Sequence, residues 1–264
     1  MNQSLVNNVA SALKGFDIHS LNDISNSVLM NRVDSKFVVP AELLPDLLNG
    51  ASRDYSLLNV GGHNQSEYLN VYFDTDNFSY YRMHHNGKLN RIKVRHRHYL
   101  SSNTAFLEIK FKSNKGRTIK TRREASLDAN MAIQEHADFL ADYGIAQPQK
   151  LLPKQIVRYQ RICLSSEILG ERVTLDSSAC FVAPDTGCKV ALDDVVIIEL
   201  KQRRVDRQSP FYRLLRSLGI RSQSFSKYCG GVSLTTDNKV KTNRFRRDIN
   251  KLAKISSSIR TMTQ

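Results

Sequence analysis

The stretch LNRIKVRHRHYL, residues 89–100, decides the fold class. Read with the two-residue period of a β-strand, it places Arg91, Lys93, Arg95, Arg97 and Tyr99 on one face and Ile92, Val94, His96 and His98 on the other. Four like charges on successive same-face positions repel one another. Such a ladder is tolerable when something strongly anionic lies along it.

The same alternation recurs in the neighbouring segments. In AFLEIKFKS (105–113) Phe106, Glu108, Lys110 and Lys112 share a face and Ala105, Leu107, Ile109 and Phe111 form an apolar one. RTIKTRRE (117–124) aligns Thr118, Lys120, Arg122 and Glu124, RVTLDS (172–177) aligns Arg172, Thr174 and Asp176, and VVIIELKQ (195–202) sets Glu199 and Lys201 behind Val195 and Ile197. A sheet with one wet face accounts for any single strand of this kind. Five of them with few acids are harder to accommodate, because like charges opposed across strands destabilise a sheet. Closing the sheet with this face inward would concentrate positive potential and suit a chain of phosphates, which Arg binds bidentately and Lys as a point charge.

Further strands are predicted at 55–60, 68–74, 154–163, 171–176 and 178–183, and the short links HHNGK and KSNKG make the sheet mainly antiparallel. Helices are expected at 4–14, 40–50, 128–143 and from Ser209–Pro210 to Gly219. The fold class is α+β, one domain over residues 1–238 of antiparallel β with flanking helices, followed by a basic tail, 239–264.

Composition agrees with a globular chain that meets a polyanion. Of 264 residues 41% are hydrophobic, and 39 Lys plus Arg against 25 Asp plus Glu give a net +14. Residues 82–123 hold thirteen of the cations and a single acid, Glu108. The tail holds eight cations and Asp248. It reads either as a solvated polyanion-binding segment or as a surface helix, Asn243 to Ile255, resting Phe245, Ile249, Leu252 and Ile255 on the barrel. Cys163, Cys180, Cys188 and Cys229 lack CxxC or zinc-ligand spacing, which argues against a metal cage and a disulfide framework and for a reducing, cytoplasmic setting. No segment reaches the roughly 20 apolar residues of a membrane span. The Gly-Gly pairs at 61 and 230 lack the context of a phosphate-binding loop and read as turns.

RVDSKF (32–37), YFDT (72–75), RIKVRHRHY (91–99), FLEIKFK (106–112), VIIELK (196–201) and FSKYCGG (225–231), in this order and spacing, resemble the catalytic domain of the vacuolar transporter chaperone (VTC) family, in the triphosphate tunnel, or CYTH-like, superfamily. The likeness spans residues 28–235. It implies an antiparallel eight-stranded β-tunnel and a polyphosphate polymerase that transfers the γ-phosphate of ATP to a growing chain with Mn²⁺ or Mg²⁺. Residue by residue, it assigns phosphate binding to Lys36, Arg95, Arg97, Lys110, Lys120, Arg161, Arg172 and Lys227, with Tyr159 and Ser226 beside them, and the metal to Glu199. Lys112, Arg122, Arg158 and Lys201 join the substrate-binding set if strand register keeps them inward.

One departure matters. Hydrolytic relatives carry alternating glutamates before the lysine, where this chain has Arg32, Asp34 and Lys36, and this favours the polymerase branch. A triphosphatase or polyphosphatase of the same fold and a non-catalytic polyanion-binding module are the alternatives. Few aromatics on the cationic faces argue against a specific nucleic-acid partner. The expected partners are ATP and polyphosphate, with a membrane protein for export at the cytoplasmic face of the membrane as a further associate.

Overall fold

The computed structural model describes residues 1–20, 23, 32–236 and 240–260. In chain order the elements are α1 (Gln3–Leu13), β1 (Ile18–His19), β2 (Val33–Pro40), α2 (Leu44–Ala51), β3 (Ser56–Leu58), β4 (Ser66–Asp74), α3 (Ser79–His85), β5 (Arg91–Tyr99), β6 (Thr104–Lys112), β7 (Thr118–Ala125), α4 (Ala129–Glu135) and α5 (Ala137–Ala141). They continue with β8 (Leu152–Ser166), β9 (Glu171–Val182), β10 (Lys189–Leu192), β11 (Val195–Gln202), α6 (Pro210–Ser217), α7 (Lys227–Thr235), α8 (Arg246–Ile255) and α9 (Ser257–Arg260). Residues 28–31 of the family-like stretch, and 239 and 261–264 of the expected tail, lie outside the described residues.

Eight strands form one antiparallel path, β2-β11-β9-β8-β4-β5-β6-β7. The path curls until its two end strands line the same cavity, Asp34 and Lys36 from β2 facing it together with Lys120 and Arg122 from β7. Alternation explains the closure: each strand of the ladder has an apolar face that must be buried outside and a charged face left for the lumen. Val94, Leu107 and Ile109 are therefore buried against Ile133, Phe139 and Leu140 of α4 and α5. Ile162, Leu164, Val173, Leu175, Val196, Ile198 and Leu200 are buried against α1, α2 and α6.

The inner face is not charged along its whole length. On β11 the residues in line with Glu199 are Ile197 and Val195, and on β2 Val38 follows Lys36. This apolar half is filled by Tyr228, Cys229 and Val232 of α7. The Gly230–Gly231 pair belongs to that helix and not to a turn: a Cβ on Gly231 would lie 2.7 Å from Phe181 and 2.8 Å from Gln155. The pair at 61–62 is a turn, with φ of 57° and 85° that suit glycine.

Other expectations are adjusted. The helix expected over 128–143 breaks at His136, whose φ of −116° and ψ of 35° are non-helical. The strands expected at 171–176 and 178–183 are one strand, β9, interrupted by a bulge at which Ser178 takes φ 50° and the register with β8 shifts between Arg158 and Gln160. The boundary drawn at 238/239 does not separate a free tail. Phe245, Leu252 and Ile259 are buried in the same cluster as Tyr81, Val195 and Ile197. The backbone N–H and hydroxyl of Ser257 both donate to Asp194, at 2.9 and 3.1 Å. No helix among the described residues is long and apolar enough to cross a membrane.

Leu252 is fully buried, so Leu252→Ala should lower unfolding free energy by about 2–5 kcal/mol in urea denaturation. A loss under about 0.5 kcal/mol would mean that the C-terminal helices do not pack on the barrel.

Candidate functional site

All eight strands of the path contribute side chains to an inner cavity of about 440 Å³. Among the described residues, twelve Lys and Arg side chains line it against three acids, Asp34, Glu108 and Glu199. Of the residues singled out in the sequence, Lys36, Arg95, Arg97, Lys110, Lys120, Arg122, Tyr159, Arg161, Arg172, Glu199, Lys201, Ser226 and Lys227 meet here. Lys112 lines an adjoining outer cavity of about 540 Å³ with Arg91, Lys93 and Thr118, and Lys36, Lys93 and Lys110 face both. Arg158 is the exception. It is adjacent to the inward Tyr159, so alternation turns it outward, where it is 59% exposed and paired with Glu67.

Two buried carboxylates each hold two lumen cations. Glu108, 2% exposed, accepts from Arg95 Nε at 2.9 Å and pairs with Lys120 Nζ at 2.7 Å. Asp176, equally buried, accepts from Arg161 Nε at 2.5 Å and Nη2 at 2.7 Å and pairs with Lys227. Burial by itself would raise both carboxyls. Arg95, Arg97 and Lys120 reverse this at Glu108 and hold it well below the usual carboxylate range, and Arg161 with Lys227 bring Asp176 down to about 2. Crowding acts oppositely on the lysines. Burial, reinforced by neighbouring cations, lowers Lys93 to about 8, and burial takes Lys120 to about 8 despite Glu108.

Tyrosines fill the gaps between the arginines; the sequence reading placed Tyr99 and Tyr159 there but missed Tyr68 and Tyr72. Arg97 lies over Tyr68 and Tyr99 at 5.2 and 5.8 Å, and Arg161 over Tyr68 and Tyr159 at 5.0 and 5.2 Å. Tyr159 also stacks on Tyr68. Asn70, on the same face of β4, accepts from Arg97 Nε at 3.0 Å. The signal was available: alternation aligns Tyr68, Asn70 and Tyr72, and register sets Tyr72 beside Arg95 and Asn70 beside Arg97. With guanidinium groups already over them, these rings are not open stacking platforms for bases.

Polar groups converge elsewhere in the lumen. Lys36 donates to the Phe225 carbonyl at 2.8 Å and Lys93 to Ser226 Oγ at 2.9 Å, which ties the cations to the turn entering α7. Arg172 Nε and Thr174 Oγ1 are buried without a hydrogen-bond partner among the described residues. Glu199 pairs with Lys201 at 3.0 Å and shares a hydrogen bond with Asp34. Burial and the Glu199 charge raise Asp34, while Lys201 and Lys36 overcome burial at Glu199 and hold it well below its usual range. The Asp34 and Glu199 side chains therefore form an acidic pair among the lumen cations. His84 lines the outer cavity only and is lowered to about 2 by burial and by Lys93 and Arg91, so it stays neutral. His96 points away from the lumen and bonds the Ser126 carbonyl at 2.8 Å.

The profile of the VTC domain matches residues 31–236. The chain belongs to the VTC domain family. Comparison with curated proteins returns no match. Among solved structures, the VTC domain described here is similar to a candidate adenylyl cyclase from Hippeastrum reported to have a dominant triphosphatase activity, with TM-score 0.51, 14% identity, and coverage of 79% of this chain and 98% of that one. It is also similar to a candidate adenylate cyclase from Bacillus halodurans, with TM-score 0.49, 17% identity, and coverage of 75% and 96%. At 14% identity the likeness to the Hippeastrum protein concerns the fold alone.

Asp176 gives a pH test. Its depressed pKa adds stability above its unfolded value of 3.8 that is lost as pH falls through about 2, worth about 2 kcal/mol for a fully buried group. Asp176→Asn should cost about 3–5 kcal/mol at pH 7, because it leaves Arg161 and Lys227, 14% and 15% exposed, without their shared carboxylate. In urea unfolding, the gap to wild type should shrink by about 2 kcal/mol between pH 5 and pH 2. A gap independent of pH would show that Asp176 is not the ionised partner.

Proposed function

We propose that this VTC domain is a metal-dependent phosphotransferase that extends inorganic polyphosphate from ATP, releasing ADP. The observation that carries the reading is the convergence of twelve cations and the Asp34–Glu199 pair on one lumen. Phosphoryl transfer needs alignment and charge neutralisation more than covalent help from the protein. The attacking terminal phosphate oxygen is already anionic near neutral pH, so no base is required.

Each lumen group has a part in this scheme. Arg97 and Arg161, stacked on tyrosines and hydrogen-bonded, hold the chain in register. Arg172 Nε, a buried donor without a hydrogen-bond partner among the described residues, fits a phosphate oxygen. Arg95 and Lys120, tethered by Glu108, and Lys227, tethered by Asp176, stabilise charge on the transferred group and on the leaving diphosphate. The donor set fits a divalent cation, since Mg²⁺ is commonly bound by one or two carboxylates plus substrate phosphates. Glu199 and Asp34 would hold Mn²⁺ or Mg²⁺, and the ion would supply neutralisation of the β- and γ-phosphate oxygens.

One observation favours a second reading, hydrolysis of a bound triphosphate. Asp34, with its raised pKa, faces the lumen and could orient and deprotonate a water.

Purified protein incubated with ATP and Mn²⁺ should yield acid-insoluble polymer and ADP in matched amounts. Orthophosphate without polymer would select the hydrolytic reading. Glu199→Gln, nearly isosteric, should abolish metal-dependent turnover while the protein remains folded. Arg95→Ala should lower kcat by about 100-fold, and Arg158→Ala should leave it within about twofold, since Arg158 lies outside the lumen and its pair is exposed. Equal damage from the two arginine changes would contradict the assigned register.

A further inference from the structure

A second concentration of positive charge lies outside the lumen, on the segment joining β11 to α7. Residues 203–221 contain Arg203, Arg204, Arg207, Arg213, Arg216 and Arg221 and one acid, Asp206. All six arginines are exposed. None of them takes part in a salt bridge among the described residues.

The segment is rigidly seated and begins and ends on the tunnel wall. Arg203 follows directly on Lys201 and Gln202 at the end of β11, and Lys201 lines the lumen. Gln202, 2% exposed, holds the loop by donating to Glu171 at 2.6 Å and to the Asp206 carbonyl at 3.0 Å and accepting from the Asp206 N–H at 3.2 Å. Pro210 opens α6, whose Phe211 and Leu215 are fully buried, with Phe211 edge-on to Tyr55. This leaves Arg213 and Arg216, three apart, on the outward face. Past Gly219 and Arg221 the chain rejoins the wall, where the Gln223 N–H donates to the carbonyl of Lys36 at 2.8 Å. The six arginines thus sit on an excursion whose two ends abut lumen residues.

We propose that this arginine face binds the part of a long inorganic polyphosphate chain that extends beyond the tunnel. The inference rests on the reading of the lumen given above and adds an outer site to it. Charge complementarity and continuity with Lys201 and Lys36 select this occupant. A membrane surface would also want an apolar outward face on α6, whereas Phe211 and Leu215 point into the core, Tyr212 and Leu214 are partly buried against it, and the segment's exposed large apolar residues are Val205 and Leu218 among six arginines. The outer face would contribute by counterion release and retain product between additions, so it acts on long chains and not on short ones.

The test compares wild type with the variant Arg203→Gln/Arg207→Gln/Arg213→Gln/Arg216→Gln, all exposed positions, in binding inorganic triphosphate and a polyphosphate of about 100 units at low and moderate salt. The variant should keep wild-type triphosphate affinity and its rate with ATP, lose about tenfold or more in long-chain affinity at low salt, and show a shallower salt dependence. Unchanged long-chain affinity overturns the proposal. So does a variant that loses binding to vesicles containing anionic phospholipid while holding long polyphosphate as before. Wild-type protein that binds the long chain but not triphosphate would instead refute the lumen reading, and the outer site as its extension with it.

Discussion

Repulsion among cations confined in a lumen is the constraint on which the rest of this structure depends. Twelve Lys and Arg side chains among the described residues face one cavity, and in such a partly desolvated space two cations about 4 Å apart repel by about 4 kcal/mol, against about 1 kcal/mol in water. The fold bears this in two ways. Glu108 and Asp176 sit behind the cations, buried and ionised, and each binds two of them. Tyr68, Tyr72, Tyr99 and Tyr159 then separate the guanidinium groups with ring faces that attract positive charge. Burial first, and the neighbouring cations after it, lower the pKa of Lys93 and Lys120, and the positive potential that remains would draw in a polyanion.

The division of the inner face follows from the same constraint. A barrel charged throughout would have nothing to fill it, so the continuing positions on β2, β8 and β11 become Val38, Val157, Val195 and Ile197 and accept α7 as a plug. Gly231 permits the approach of that helix to Phe181 and Gln155. The helix also brings Ser226 and Lys227 to the lumen, and thus packing at the apolar half positions chemistry at the charged half. The C-terminal helices join this cluster through Phe245 and Leu252, which makes them part of the plug.

The cationic wall was legible in the sequence because strand alternation is local and strict. Thirteen of fifteen expected site residues line the inner cavity, and Lys112 lines the adjoining one. Arg158 was misplaced because it was admitted together with Tyr159, though neighbours on a strand cannot share a face. The shared face of Tyr68, Asn70 and Tyr72 was legible from alternation, but their place beside Arg95 and Arg97, like the tethering role of Asp176, depends on which strands become neighbours: β4 beside β5 sets Tyr72 opposite Arg95, and β8 beside β9 puts Arg161 opposite Asp176. Gly230 and Gly231 read as a turn because composition alone does not distinguish a glycine needed for φ from one needed for close packing. The tail stayed ambiguous for a related reason. Its apolar period, Phe245, Ile249, Leu252 and Ile255, is short, and only the exposed edge of the α7 cluster gives it somewhere to dock.

On the proposed reading, the lumen is a phosphate-chain site whose cations repel one another until an anion fills it. Thermal unfolding with and without inorganic triphosphate, against sulfate at matched ionic strength, tests it most directly. Occupancy should relieve the repulsion and stabilise the folded state by about 2.7 kcal/mol at a hundredfold excess over Kd, which raises Tm by about 5 °C or more for a chain of this size, and sulfate should have little effect. A Tm that triphosphate leaves unchanged, or that sulfate raises equally, would contradict the account.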